Sequence, residues 1–404
     1  MWIAALFKLA ESSWTMPSSN GSGLWMTNRL PFELETPCLL LDQDRLDANI
    51  ARLKSRTDAL GVTLRPHMKT AKSIDVAGRV HGNSPGPITV STLAEAEYFA
   101  GFGYRDIIHA VGLAPQRCKR ALGLRAAGVD LKLLLDSTDQ ALALAEAANH
   151  AGVKAAALIE IDCDGHRAGI APDSARLVLI ADTLTAQGVA VAGVLTHAGG
   201  SYEGGGSEAI AQAAEAERAA VVHAAERLRQ SGHECPIVSV GSTPTAHFAR
   251  SLEGVTEVRA GVYMMFDLVM QGIAVCQYDD IALSVLSTVI GAQPDKGLII
   301  VDAGWMALSR DRGTAGQAVD QGYGLVCNEA GEPWPDLIVL GANQEHGVIG
   351  IRPGSRAALP NLPIGSRVRI LPNHACATAS QHAGYHVLGR AVTAPTWWPR
   401  LTGW

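Results

Sequence analysis

The stretch VAVAGVLTHAGGSYEGGGSEAIAQAAEAERAAVVHAAERLRQSG, residues 189–232, decides the fold. It opens with small and β-branched residues, the composition of a strand buried on both faces, and passes through a glycine-rich turn. It then runs into an alanine-rich segment with apolar residues at helical spacing, which stops at Gly232. A strand followed by a helix is the repeating unit of an α/β protein. The pattern recurs on both sides. Strands are expected near 62–65, 87–90, 106–111, 131–135, 155–161, 236–240 and 256–259, with helical segments such as STLAEAEYFAGFG (91–103) between them. With 189–196 the count reaches eight, which predicts an α/β fold of the (β/α)8 TIM-barrel type.

From about residue 270 the texture changes. IALSVLSTVIGAQ (281–293), GLIIVDAGW (297–305) and GSRVRILPNHACAT (365–378) are β-rich and divided by Gly, Pro and Asp, so a second, mostly antiparallel β domain is expected. The expected division is a barrel over 31–268 and a β domain over 269–404, with residues 31–42 pairing into the β domain through TPCLLLD (36–42). Residues 1–30 combine an interrupted apolar patch with the polar stretch PSSNGSG, and are read as a disordered extension.

The 404 residues are 48% hydrophobic, enough for two cores, and the net charge of −6 leaves no basic stripe for nucleic acid. No run approaches the roughly 18 apolar residues that cross a bilayer. Seven scattered cysteines suit reduced thiols in a cytoplasmic protein better than a disulfide framework.

In such barrels the chemistry sits in the loops after the strands. Lys69, in LRPHMKTAKS (64–73), follows the first strand, and Arg167, in DCDGHRAG (162–169), follows the fifth. His197 follows the sixth, Gly241, Ser242 and Thr243 the seventh, and Gly261, Val262 and Tyr263 the eighth. Glycine turns with free N–H groups bind anions such as phosphate. A lysine in a partly desolvated site becomes nucleophilic enough to condense with an aldehyde. Aldehyde and phosphate on one small molecule describe pyridoxal 5′-phosphate (PLP).

The stretches TPCLLLD, LRPHMKTAKS, IEIDCDGHRAGI (159–170), LTHAGGSY (195–202), VSVGSTPT (238–245), EVRAGVY (257–263), NQEHG (343–347) and LPNHACAT (371–378) together resemble the metal-activated, fold-type III PLP enzymes, the D-serine dehydratase and D-threonine aldolase family. The resemblance implies an alanine-racemase-like barrel plus a β domain, a homodimer, and a Schiff base at Lys69, with Lys72 as a solvated or supporting residue. It implies phosphate held at the Gly241-Ser242-Thr243 and Gly261-Val262 turns with Tyr263 nearby, Arg167 on the ring hydroxyl, His197 and Tyr202 beside the ring, and Arg259 facing the ring nitrogen. An arginine there keeps its own proton and weakens the ring as an electron sink.

Help is expected from His374 and Cys376. Separated by Ala375, they would share one face of an extended strand, and an imidazole with a thiolate selects zinc, or another divalent cation such as Mn2+, while leaving positions open for substrate. A cation on the 3-hydroxyl eases departure of that oxygen, and Lys69 serves as general base. The expected activity is dehydration of D-3-hydroxy amino acids such as D-threo-3-hydroxyaspartate or D-serine to a 2-oxo acid and ammonia. The His-Ala-Cys segment differs from the His-Cys-Asp of the aldolases, which favours dehydration over retro-aldol cleavage, and a non-catalytic PLP carrier would need neither ligand. Arg310, Arg312, Tyr323, Gln344 and His346 are candidate substrate residues, the arginines because guanidinium grips carboxylate in two places. The GGSYEGGGS stretch is read as a lid.

Overall fold

A computed structural model describes residues 33–404 apart from Asn83, so the extension expected at 1–30 lies outside the described residues. A first strand, β1 (Cys38–Asp42), runs into a helix (Gln43–Ala59) whose first turn is capped by the Asp42 carboxylate accepting from the Arg45 N–H. The eight apolar runs then form β2 (Thr63–Pro66), β3 (Ile88–Val90), β4 (Asp106–Gly112), β5 (Asp130–Leu135), β6 (Ala156–Ile161), β7 (Ala190–Thr196), β8 (Ile237–Val240) and β9 (Glu257–Ala260). They are parallel, in the order β2-β9-β8-β7-β6-β5-β4-β3. A bridge between His67 and Thr89 joins the two ends, and the Met68 N–H donates to the Thr89 carbonyl at 2.8 Å, closing the barrel.

The barrel interior is apolar in its middle, where Ile108, Leu134, Ala156, Leu158, Ala192 and Leu195 meet. Toward the N-terminal ends of the strands it is charged. The Arg65 Nε donates to Glu257 at 2.8 Å, its Nη1 to Asp106 at 2.9 Å, and Lys132 donates to the same Asp106 carboxylate at 2.6 Å. Buried charges of this kind are tolerable only when paired, and each cation here has an acid.

On β7 the inward positions change parity between Ala192 and Leu195 because Gly193, at φ +143°, interrupts the pairing register. A Cβ at Gly193 would lie 1.9 Å from the Ile237 carbonyl oxygen, so only glycine fits. The shift carries the end of β7 so that His197 enters the barrel mouth.

After the barrel come β10 (Leu283–Gln293), β11 (Leu298–Val301), β12 (Leu325–Cys327), β13 (Pro333–Ala342), β14 (Gly347–Ile351), β15 (Arg367–Leu371), β16 (Gly384–Leu388) and β17 (Thr396–Pro399). They form one sheet with β1, in the order β11-β14-β13-β12-β15-β10-β1-β16-β17, and an extra β10–β11 pairing closes six of these strands into a ring. As TPCLLLD suggested, β1 pairs into this sheet, antiparallel to β10 and parallel to β16. No helix among the described residues is long and apolar enough to cross a membrane.

Candidate active site

The loops after β2, β6, β7, β8 and β9 enclose a pocket with an empty volume of ≈ 600 Å³, including its open mouth. Lys69, Arg167, His197, Gly241, Arg259 and Gly261, all predicted from the sequence, line it together. Its wall also holds His67, Ser91 and Glu160, which the sequence reading did not single out.

Lys69 stands in a turn closed by the Lys72 N–H on the Met68 carbonyl at 2.7 Å. Its side chain is exposed at the pocket mouth, so the protein alone does not supply the desolvation expected of it. The turn is nonetheless held firmly. The Tyr385 hydroxyl donates to the Ala71 carbonyl and the Leu401 N–H to the Lys72 carbonyl, both at 2.7 Å. Of the two roles expected for Lys72, solvated or supporting, its surroundings match the supporting one. Its backbone adopts φ +47°, its side chain is 14% exposed, and its ammonium lies 3.3 Å from the fully buried Glu95 carboxylate.

Close packing explains both glycine turns. A Cβ at Gly241 would sit 2.0 Å from the Arg259 carbonyl oxygen, and one at Gly261 would sit 2.9 Å from the His67 carbonyl oxygen. The expectation that Gly241 offers its N–H to phosphate is corrected: that N–H donates to Glu217 at 2.9 Å. Ser242 is likewise committed, its hydroxyl capping the helix Thr243–Phe248 through the Thr245 N–H and meeting Ser201 at 2.9 Å. The Thr243 N–H has only a long contact, 3.4 Å, to the Tyr202 hydroxyl. The buried Thr243 and Tyr263 hydroxyls have no hydrogen-bond partner among the described residues. A turn too tight for any side chain, beside orphaned hydroxyls, fits an anion better than it fits more protein.

Glu217 is the organiser the sequence reading missed. It sits on the buried face of the long helix Gly206–Gln230, in line with Ile210, Ala214, Val221 and Leu228. Besides Gly241 it accepts from the Ala198 N–H at 3.1 Å and the Thr245 hydroxyl at 2.7 Å, tying the loops after β7 and β8 together. Burial pushes its carboxyl upward against these three donors. GGSYEGGGS is not a free lid: Gly199–Tyr202 is a helical turn whose Ser201 is buried, and Gly204, Gly205 and Gly206 at positive φ lead into the long helix.

Around the pocket, the His197 Nδ1–H donates to the Gly241 carbonyl at 2.5 Å, leaving Nε2 as acceptor. Burial holds this ring neutral, its pKa pushed down to about 4, with Lys69 and Arg167 adding to the effect. His67 is likewise lowered, by burial first and then by Lys69 and Arg259. Arg259, 4% exposed, donates to the Ser239 hydroxyl and to the Thr196 carbonyl, both at 2.5 Å. Burial lowers it to about 10, so it stays a cation at neutral pH. Arg167 is largely exposed and reaches Glu160 at 3.6 Å. The nearby Asp162 and Asp164 accept from the backbone N–H groups of Gly165 and Gly200.

The second half of the site comes from the β domain, by a route other than the one expected. His374 and Cys376 are not on a strand, because β15 ends at Leu371; His374 precedes the short helix Ala375–Ala379, of which Cys376 is the second residue. They still meet, the imidazole and the thiol sharing a hydrogen bond. The thiol is lowered although burial opposes it, through the hydrogen bond and charge of His374, then Lys69 and Thr70. His374 is raised to about 11, against burial, by Asp311 and Cys376. The Thr70 hydroxyl lies 3.1 Å from the Cys376 Sγ, so the residue after Lys69 touches the proposed ligand pair. Among the described residues no three His, Cys, Asp or Glu side chains are grouped to hold a metal ion, which leaves a pair and open positions. A nitrogen and a sulfur donor fit a borderline-soft divalent cation.

None of the five candidate substrate residues lines the Lys69 pocket. Arg310 stacks 4.1 Å over Trp305, Arg312 pairs with Asp320 at 2.5 Å and lies over Tyr323, Gln344 bonds its neighbour Glu345, and His346 is exposed in a turn. The acid between the two arginines, Asp311, is the residue that reaches the site, its Oδ2 accepting from the His374 Nδ1–H at 2.6 Å.

A family model described as alanine racemase, N-terminal domain, matches residues 41–268, and one described as putative serine dehydratase domain matches residues 282–388. The chain belongs to this family. It is 53% identical over 374 residues to D-threo-3-hydroxyaspartate dehydratase of Delftia sp. (strain HT23), covering 92% of this chain and 98% of the relative. It is 31% identical to a D-serine dehydratase of Dictyostelium discoideum, covering 88% and 93%. The solved structure of a cysteine-to-alanine variant of D-threo-3-hydroxyaspartate dehydratase, in its metal-free form, superimposes with a TM-score of 0.89 at 52% identity, covering 92% of this chain and 98% of that one.

Proposed function

We propose that this family member is a PLP- and divalent-metal-dependent dehydratase of D-3-hydroxy amino acids, converting a substrate such as D-threo-3-hydroxyaspartate or D-serine to a 2-oxo acid and ammonia. The observation that carries the reading is the 3.1 Å contact between Thr70 and Cys376, which brings the lysine turn and the His374/Cys376 pair into one site. The similarity to two D-amino acid dehydratases along nearly the whole chain supports it.

When bound, PLP supplies an aldehyde for amines and an electron sink, and the cation, which the N/S donor pair suggests is zinc, supplies a Lewis acid for the 3-oxygen. The chain's own residues do the rest. Lys69 Nζ would hold the cofactor and, once displaced by substrate, take the proton from the substrate Cα. Arg259, a fixed cation on Ser239 and Thr196, would face the ring nitrogen without giving up its proton. Thr243, with the backbone at Gly261 and Val262, would hold the phosphate. His197 presents a neutral imidazole whose orientation is set by Gly241. His374 and Cys376 would hold the cation.

Purified holoprotein assayed with D-threo-3-hydroxyaspartate, D-serine and D-threonine, with and without EDTA, tests the proposal. Formation of 2-oxo acid and ammonia that is abolished by chelation is the expected result. Glycine and an aldehyde would replace it by an aldolase, and retained cofactor without turnover would replace it by a carrier.

A further inference from the structure

The His-Ala-Cys segment is held at two points by aspartates that no sequence motif connects to it. Asp267, 1% exposed, accepts from the Ala375 N–H at 2.9 Å and from the Met270 N–H at 3.0 Å, which pins the backbone immediately after His374. That contact fixes where the short helix starts, but leaves the His374 side chain free to turn about its own bonds. Asp311 removes that freedom. Its Oδ2 lies 2.6 Å from Nδ1 of His374. Asp311 is itself oriented by its place in the loop, where its N–H donates to the Ser309 hydroxyl at 3.0 Å and Ser309 adopts φ +73°.

We propose that Asp311 is a positioning residue for the metal site: by accepting from Nδ1–H it fixes the tautomer and ring orientation of His374 and leaves Nε2 as the nitrogen that binds the cation. The inference rests on the metal assignment above. An imidazole hydrogen-bonded to a carboxylate is a stronger donor at its other nitrogen, and the ring no longer has to be ordered when the cation arrives. With only two protein ligands, each must be preorganised for the cation to stay. The carboxylate is nearly as exposed as the ring, 37% against 41%, so the pair opens toward solvent and is accessible to an entering ion.

The test uses the full-length protein loaded with PLP and stripped of divalent metal. Co2+ is titrated in, followed by its absorption, whose sulfur-to-cobalt band reports the Cys376 bond directly, and Zn2+ affinity is obtained by competition. Asp311→Ala is expected to weaken binding of both ions about 10- to 100-fold, the cost typical of losing such a partner, while the cofactor's visible band remains. Asp311→Asn keeps an acceptor oxygen without the charge, and is expected to fall between Asp311→Ala and wild type; it decides the matter if the alanine variant does not fold. Co2+ and Zn2+ affinities equal to wild type in a folded Asp311 variant would overturn the inference while leaving the dehydratase reading intact. A wild-type protein that takes up neither ion would overturn the functional reading itself, and this inference with it.

Discussion

Replacing Glu217 by alanine removes the acceptor that joins two catalytic loops. In the native protein its carboxylate receives the Ala198 N–H, the Gly241 N–H and the Thr245 hydroxyl at 3.1, 2.9 and 2.7 Å. The Thr245 hydroxyl has a second acceptor in the Ser242 carbonyl at 3.4 Å, but the two backbone N–H groups have no other partner among the described residues. Each buried N–H left unmatched costs about 1–3 kcal/mol. Relief from burying a carboxylate returns part of this, so a net loss of about 2–4 kcal/mol is expected. At about 2 °C per kcal/mol for a chain of this size, the melting temperature should fall by about 4–8 °C. The loss is also local. Gly241 orients His197 through its carbonyl and packs against Arg259, so the apoprotein should bind PLP more weakly. Thermal melts and PLP titration by fluorescence quenching read both effects. Glu217→Gln, which retains one acceptor oxygen, should show less of each. An alanine variant that melts within about 1 °C of wild type and binds PLP equally well would refute the reasoning.

Three further outcomes are expected. Gly193→Ala places a Cβ against the Ile237 carbonyl in a backbone conformation that disfavours side chains, and should lower stability by more than about 3 kcal/mol or leave the protein insoluble, read by soluble yield and urea unfolding. Lys72→Met leaves Glu95 charged, buried and without its cation, and should cost about 3 kcal/mol, whereas Lys72→Arg should recover most of it in the same denaturant titration. Burial pushes His109, His197 and His247 down to about 4, so each stays neutral in the folded chain while its unfolded counterpart protonates near 6.5. Their contribution is present above about pH 6.5 and is lost as pH falls toward 4, at up to about 1.4 kcal/mol per pH unit per residue; a melting temperature flat across this window would contradict the assignment.

The barrel was legible because buried parallel strands need uninterrupted apolar runs, and the helices between them need a repeating buried face; each of the eight runs lies within a residue of a strand. The rim residues Lys69, Arg167 and His197 followed from strand ends, whereas Arg259, inside the eighth strand, came only from the family resemblance. Glu217 could have been found, since an acid in register with Ile210, Ala214, Val221 and Leu228 must be buried and must therefore be bonded. Other features depend on contacts that spacing does not carry. Asp311 meets His374 across 63 residues, and Thr70 meets Cys376 across 306. The extended reading of His-Ala-Cys failed because Asp267, 108 residues before Ala375, holds that N–H and starts a helix there. Partial desolvation was expected of Lys69 at the end of a buried strand, yet the turn that carries it opens at the pocket mouth.

Reductive trapping of PLP with borohydride on the purified holoprotein, followed by digestion and mass mapping, tests the central claim most directly. The account predicts a pyridoxyl group on Lys69 and on no other lysine, absent from the Lys69→Ala variant. A label on another lysine, or cofactor retained without any covalent label, would contradict it.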